Sequence, residues 1–375
     1  MADFNNSKKI LFVFGTRPEA IKMAPVIKEF QRFESFETRV CITAQHREML
    51  DQVLDFFNIE VHYDLDLMRE NQGLSDLTAR ILTSLKDPLE DFKPDLVCVH
   101  GDTTTTMAAS LAAFYAGCEV AHIEAGLRTH NKKSPFPEEL NRQITGRIAH
   151  YHFAPTSRSA ANLKAEGIAS DQIFITGNTV IDALHLTVAK VEKLQPDFAK
   201  SIPFEDKKVI LITGHRRENF GEGMQRICIA LRDLALDRKD IHLVYPVHLN
   251  PNVKNVVHEV LGDVSNCSLI EPLQYPDFVW LMNKSYLIVT DSGGVQEEAP
   301  GLGKPVLVTR DTTERPEAVE AGTVVLTGTD PKKLTQGILT LLDNDKHYYQ
   351  MSQAHNPYGD GKASQRIVEV LKNRL

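Results

Sequence analysis

Short unbroken apolar runs alternate with amphipathic helical patterns along the whole chain, and this alternation restricts the fold more than any other feature. Strand candidates in the first half are Ile10–Phe14, Thr38–Thr43, Leu96–His100, Glu119–Glu124, His150–Ala154 and Ile173–Thr176. The series starts afresh at Val209–Thr213 and continues through His242–Pro246, Ser268–Ile270, Leu287–Thr290, Pro305–Thr309 and Thr323–Leu326. Helical patterns lie between them, for example Leu74–Phe92, Thr104–Tyr115 and Gly223–Ala235. Continuous Val/Ile/Leu runs suit parallel strands covered on both faces, where an alternating pattern would mean one wet face. Two such series imply an α/β chain of two Rossmann-like, doubly wound domains. A length of 375 residues agrees with two domains. The break is expected in the polar, proline-bearing stretch Pro196–Lys207, or earlier, from Gly177. The expected division is residues 1–176 with 356–375, and residues 177–355.

Composition excludes several classes. The chain is 42% hydrophobic and 25% charged, enough for a real core. A net charge of −8 argues against a general nucleic-acid or membrane-surface partner. No apolar run approaches the ~20 residues that span a bilayer, and the polar start MADFNNSKK does not read as a secretory signal. A cytoplasmic protein is expected. The five cysteines show no CxxC spacing, and four sit in apolar strand-like runs. They read as buried, reduced thiols.

In open α/β sheets ligands gather beyond the carboxyl ends of the strands, so each strand end was read for its chemistry. The first strand ends at Gly15, followed by Thr16, Arg17, Pro18 and Glu19 and then a helix carrying Lys22. A helix start with two cations nearby is an anion-binding corner. Gly101-Asp102-Thr103 follows the third run; Asp102 reads either as a helix cap or as a functional acid. Glu124 closes the next strand and needs a partner, for which Arg128 is a candidate. Glu138 opens a helix, where an acid also suits the dipole. Three acids at the ligand-facing rim with cations nearby suit proton transfer at a weakly acidic carbon.

Later corners offer anion sites. His215, in Gly214-His215-Arg216-Arg217, reads as a phosphate ligand, a general acid or a surface residue beside a cap. Ser292-Gly293-Gly294 opens a helix where backbone N–H groups can approach a phosphate. Glu298 follows about one turn on and suits ribose hydroxyls. Phe278 and Trp280 lie in a helical stretch, as core or as a base-stacking face. GxxxxGK[ST], GxGxxG after the first strand, HExxH and Cys/His ligand spacing are all missing from the sequence, so neither a P-loop, nor NAD, nor a metal is expected.

The motifs GTRPEAIKMAP, TAQHREML, HGDTTTT, HIEAGLRT, PEELNRQ, FITGNTVIDAL, GHRREN, YPVHLNP, TDSGGVQEEAP, TRDTTERPEAVEAGT and NPYGDGKASQRI closely resemble those of the bacterial non-hydrolysing UDP-N-acetylglucosamine 2-epimerases, from the first strand to the last helix. The resemblance implies a GT-B-like pair of domains with an interdomain active site, a homodimer, and interconversion of UDP-N-acetylglucosamine and UDP-N-acetylmannosamine without NAD or metal. UDP is eliminated to give 2-acetamidoglucal and then re-added. By the same resemblance Asp102, Glu124 and Glu138 are the acid/base carboxylates, and Lys22 and His215 assist departure of UDP. Arg17, Ser292, Gly293 and Gly294 are diphosphate ligands, Glu298 is the ribose ligand and Phe278 the uracil contact; Arg142 orients Glu138 or the substrate.

Bacterial members can also be activated by UDP-N-acetylglucosamine bound beside the active site. Gln45, His46 and His248 match that second site. Glu48 and Asn71 stand where the family carries Gln and Arg, which implies weaker cooperativity. Competing readings are a hydrolysing epimerase, an epimerase of a diacetamido uronic acid, a non-catalytic nucleotide-sugar sensor and a GT-B glycosyltransferase. The Pro-Glu-Ala-Ile-Lys corner and the intact set of acids favour the non-hydrolysing epimerase.

Overall fold

In the computed structural model the chain divides into two compact units, Met1–Ala183 with Tyr358–Leu375, and Leu184–Pro357. The structure describes residues 7–43, 47–69 and 72–375.

The first unit holds a parallel sheet of β1 (Lys8–Phe14), β2 (Phe36–Ile42), β3 (Tyr63–Asp64), β4 (Leu96–His100), β5 (Glu119–Ile123), β6 (Tyr151–Ala154) and β7 (Ile173–Ile175). Its order is β3-β2-β1-β4-β5-β6-β7. The central strands are the most apolar: Ile10 through Phe14 have no exposed surface. Helices cover both faces. The helix Thr104–Tyr115 buries Ala108, Ala109, Ala112 and Ala113 against Leu11, Val13, Val97 and Val99. Its small side chains allow close approach to the sheet. On the helix Arg17–Phe30, Phe30 meets Phe12 and Phe36 edge-on, with ring centroids 5.5 and 4.9 Å apart. A fully buried aromatic of this kind contributes about 2–3 kcal/mol through its apolar area.

The second unit repeats the plan with β8 (Lys208–Thr213), β9 (Ile241–Pro246), β10 (Cys267–Ile270), β11 (Leu287–Thr290), β12 (Val306–Val308) and β13 (Val324–Leu326), in the order β10-β9-β8-β11-β12-β13. Each sheet therefore reverses its direction of growth at its centre, between β1 and β4 and between β8 and β11. Those reversals are the topological switch points where ligands of such sheets bind.

All twelve expected strands are present within a residue or two at each end. The two-residue β3 was not expected; Tyr63 and Asp64 pair with Cys41 and Ile42 but carry no apolar run. The single helix expected over Leu74–Phe92 is two helices, Leu74–Ser84 and Lys86–Phe92, meeting at Leu85. Pro88 explains the break: it has no N–H for the next helical bond, and its ring would press on the Ser84 carbonyl.

The helix Ala363–Lys372 packs within the first unit. Asp182 accepts from the N–H groups of Ala363 and Ser364 at 3.1 and 2.8 Å, and Lys372 lies 4.7 Å over the Phe33 ring. All five cysteines are free thiols. Burial pushes Cys41, Cys228 and Cys267 up to about 12, so these three are un-ionised at neutral pH. Among the described residues no helix is long and apolar enough to cross a membrane.

Candidate active site

The first-unit site begins where β1 ends. A Cβ on Gly15 would stand 2.1 Å from the Thr43 hydroxyl oxygen, so only glycine lets the chain turn there. Thr16 then caps the helix Arg17–Phe30 in a capping box with Glu19. Glu19 does more than cap. Its buried carboxylate accepts from Gly15 N at 3.0 Å, Thr16 N at 2.8 Å, Thr103 Oγ1 at 2.7 Å and Thr106 Oγ1 at 3.1 Å. Burial raises its pKa, against the pull of these donors. Arg17 and Lys22 leave this helix start on the ligand-facing rim.

Lys22 forms an ion pair with Glu124 at the end of β5. Glu124 also accepts from Asn178 Nδ2 at 2.9 Å, and its Oε2 lies 3.6 Å from His100 Nε2. Its backbone is left-handed, at φ +62°, a conformation a non-glycine residue keeps only where its surroundings enforce it. The preceding corner is shaped to match. Gly101 has φ +68°, and a Cβ there would lie 3.4 Å from Glu124 Oε2. Its carbonyl meets His122 Nε2 at 2.7 Å. Burial holds His100 down at about 4 and His122 at about 3, so both rings are neutral at pH 7.

Asp102 follows Gly101. Arg142 Nη2 donates to its carboxylate at 2.5 Å, and Asn141 Nδ2 donates to its carbonyl at 3.0 Å. The side chain keeps 27% exposure, yet its pKa rises to about 6. Burial is the largest cause; Arg142 opposes it, and the carboxylates Glu124 and Glu138 add to it. Glu138 opens the helix Glu138–Ile148, and its Oε2 is buried with no hydrogen-bond partner among the described residues. Such an orphaned acceptor beside a carboxylate cluster suits a bound hydroxyl. The cluster has the means for acid–base chemistry: one carboxyl poised near neutrality, a second paired with an ammonium, and a third with one oxygen unbonded among the described residues.

The second-unit cluster is built on Asp291, fully buried at the end of β11. Its Oδ2 accepts from the backbone N–H groups of His215 and Arg216, both at 2.9 Å, and pins the loop after β8. Asp291 Oδ1 lies 3.5 Å from His215 Nδ1. The pKa of His215 is lowered by burial, against the attraction of Asp291. The helix Gly293–Gly301 starts here with Ser292 as its cap residue. A Cβ on Gly293 would lie 3.8 Å from Arg216 Nη2 and 4.0 Å from Arg315 Nη2. Two guanidiniums and a glycine-flanked helix N-terminus form an anion cradle. Further along the helix, Glu298 Oε1 accepts from Tyr275 OH at 3.0 Å. Phe278 is half-buried on the helix Tyr275–Lys284.

Comparison with known proteins now fixes the family. The family model described as UDP-N-acetylglucosamine 2-epimerase matches residues 28–372. The chain belongs to the UDP-N-acetylglucosamine 2-epimerase family. It is accordingly an enzyme of the epimerase class. The family's Escherichia coli K12 member is 59% identical over 370 residues, covering 97% of this chain and 98% of that one. The crystal structure of the Neisseria meningitidis family member bound to UDP-GlcNAc is 54% identical, with a TM-score of 0.87, covering 97% of this chain and 100% of that one. A Methanocaldococcus jannaschii family member in complex with UDP-GlcNAc and UDP is 32% identical, with a TM-score of 0.78, covering 97% and 99%.

Within this family frame, the first unit gathers Lys22, Asp102, Glu124 and Arg142, and the charges of Glu124 and Glu138 both act on Asp102. The second unit gathers His215, Ser292, Gly293 and Gly294, with Glu298 on the same helix. Two expected pairings are corrected. Arg128 pairs with Glu166, at 2.7 and 2.8 Å, and Lys22 takes the place expected for it beside Glu124. Arg142 grips Asp102 and lies 3.4 Å from Glu139, where Glu138 was an expected partner. Trp280 is core: its ring meets Phe198 and Phe204 edge-on and its N–H donates to the Leu194 carbonyl at 3.0 Å.

The expected second-site residues divide. Gln45, His46 and Asn71 lie outside the described residues. Glu48 is exposed in the first turn of the helix Arg47–Phe57. His248 stacks on His215, with ring centroids 5.6 Å apart. Sequence reading missed Glu19, Arg216, Arg315, Asn178 and Tyr275. Arg216 was legible, since it stands beside His215 in a glycine corner; Arg315 carried no local signal.

Proposed function

We propose that this enzyme is a non-hydrolysing UDP-N-acetylglucosamine 2-epimerase, interconverting UDP-N-acetylglucosamine and UDP-N-acetylmannosamine. The observation that carries the reading is the carboxylate cluster: Asp102 gripped by Arg142 and poised near neutrality, Glu124 bound to Lys22, and Glu138 with an orphaned oxygen. Membership in the family and relatives solved with UDP-GlcNAc and UDP support the choice of substrate.

The carbon-2 proton is not adjacent to a carbonyl, so simple enolisation cannot remove it. In the elimination route, a carboxylate takes that proton and the C2–H electron pair becomes the C1–C2 double bond. The C1–O bond breaks and UDP leaves with its electron pair. Re-addition of UDP to carbon 1, with a proton delivered to the other face of carbon 2, gives the epimer. Asp102, with a midpoint near 6, is suited to take the proton on one face of carbon 2 in one direction of the reaction and to give it back on that face in the reverse direction, with a second carboxylate serving the other face. Glu124 and Glu138 share that proton traffic. Charge develops on the leaving diphosphate, and Lys22, Arg17, His215 and the N–H groups around Ser292, Gly293 and Gly294 oppose it. Glu298, oriented by Tyr275, takes the ribose hydroxyls, and Phe278 contacts the uracil.

The test is proton NMR of UDP-N-acetylglucosamine with the pure enzyme in D2O. Deuterium at carbon 2 together with a UDP-N-acetylmannosamine signal is expected. Stoichiometric UDP with free N-acetylmannosamine would make the enzyme hydrolysing. An unchanged spectrum with ligand still bound would overturn the catalytic reading.

A further inference from the structure

Asn178 is the residue immediately before the helix Thr179–Val191, and it is almost fully buried. No step of the reaction above uses it. Its side chain nevertheless works at both ends. Oδ1 accepts from the N–H of Val180 at 3.0 Å, a helix-capping bond of the kind asparagine makes well. Nδ2 donates at 2.9 Å to Oε1 of Glu124, the same oxygen that receives the Lys22 ammonium. The main chain is fixed as well: Asn178 N donates to the Tyr358 carbonyl at 2.6 Å. Gly177 beside it packs so closely on the returning chain that a Cβ would lie 3.3 Å from the same Tyr358 carbonyl oxygen.

We infer that Asn178 is a positioning residue for Glu124, holding that carboxylate in the orientation its proton transfer needs; the inference rests on the epimerase reading above. Lys22 does not do this by itself. An ammonium is a compact charge on a flexible stem and imposes little direction on its partner. A planar amide anchored by a cap bond and by its own backbone does impose direction. Glu124 needs such a guide, because its left-handed backbone at φ +62°, directly after the last residue of β5, is a conformation a non-glycine residue keeps only where its surroundings enforce it. Misplacement by about 1 Å at a reacting centre can cost about 100-fold in rate.

The titratable groups that face Glu124 include Lys22 from the first helix, the neutral ring of His100 from β4, and Asp102, with Arg142 and Glu138 behind it. A second carboxylate in place of the Asn178 amide would add a like charge against Oε1.

Two variants separate positioning from folding. Ser and Asp cap helices about as well as Asn, but neither can donate an amide N–H to Glu124. Asn178→Ser is expected to lower kcat about 10- to 100-fold with KM for UDP-N-acetylglucosamine within about twofold. Its melting temperature should stay within about 2 °C of the parent. Asn178→Asp is expected, in addition, to move the acid-side limb of kcat/KM upward by about one pH unit or more. An Asn178→Ser enzyme with parental kcat, or rate losses tracked by falling melting temperatures with no movement of the limb, would overturn the inference while leaving the epimerase reading intact. A parent enzyme without turnover, measured in parallel, would overturn that reading and the inference with it.

Discussion

Replacing Arg142 with Gln tests how the site sets the proton affinity of Asp102. The guanidinium donates to Asp102 at 2.5 Å and is itself only 10% exposed. Burial, with Glu124 and Glu138 adding to it, lifts the carboxyl from 3.8 to about 6 against Arg142, the largest opposing influence. An arginine beside a carboxylate lowers its pKa by about 1–3 units. Asp102 keeps 27% exposure, so solvent screening places the effect at the lower end, about 1–2 units. Without Arg142 the midpoint should therefore rise to about 7–8. At pH 7 the ionised fraction then falls from about nine-tenths to between about one-half and one-tenth, a loss of about 2- to 10-fold from ionisation alone.

The sign follows from the role. If ionised Asp102 is the reactive form, protonation ends activity on the acid side, and a raised midpoint moves that limb up. Arg142→Gln should thus lose far more kcat/KM at pH 6.5 than at pH 8.5. Gln retains a neutral amide donor on a side chain two bonds shorter, so the charge is removed from Asp102. The neighbouring Glu139 keeps its bonds from Thr129 N, His130 N and Gln143, so the helix start stays formed. The assay is initial-rate formation of UDP-N-acetylmannosamine from pH 5.5 to 9. A limb that stays in place, or moves down, would refute Asp102 as the titrating group.

Three further outcomes are expected. Asp102→Asn should abolish turnover while leaving UDP affinity within about threefold by calorimetry, because in the proposed reaction the carboxylate acts on the sugar; near-normal turnover would sink that role. Tyr275→Phe removes the donor to Glu298 and should raise KM about 2- to 10-fold with little change in kcat, measured by steady-state kinetics. Glu19→Ala strips the acceptor from four donors and should cost about 2–4 kcal/mol in urea unfolding; a loss below about 1 kcal/mol would show that water replaces the carboxylate there.

The fold was legible because the signals that define it are local. Parallel strands buried on both faces have to be short apolar runs, and twelve such runs stood out between helical patterns. The elements that escaped lack that signal or contradict it. β3 is two residues long and polar, so it exists only because β2 offers an edge. The break at Leu85 turned on Pro88, whose effect reaches back four residues into an otherwise unbroken pattern. Positions of candidate residues at strand ends were equally legible, since the carboxyl end of a parallel strand faces the ligand whatever else the chain does.

Pairing was not legible, because partners are chosen across the fold. Arg128 finds Glu166, far along the chain, rather than the Glu124 that sequence proximity suggests. Lys22 and Glu124 lie about a hundred residues apart and meet only because β1, β4 and β5 end at one rim. The same distance hides the part Glu19 plays. In the sequence it is one charge in a polar turn. In the fold, one of its oxygens takes the N–H groups of Gly15 and Thr16, and the other takes the hydroxyls of Thr103 and Thr106. A single buried carboxylate thus ties the corner that presents Arg17 and Lys22 to the corner that presents Asp102, across the β1/β4 switch point. The relative placement of the cations and the acid is then a property of the first unit's own core and needs no ligand to create it. Preorganisation of that kind is what lets such groups act on developing charge without first being moved into place.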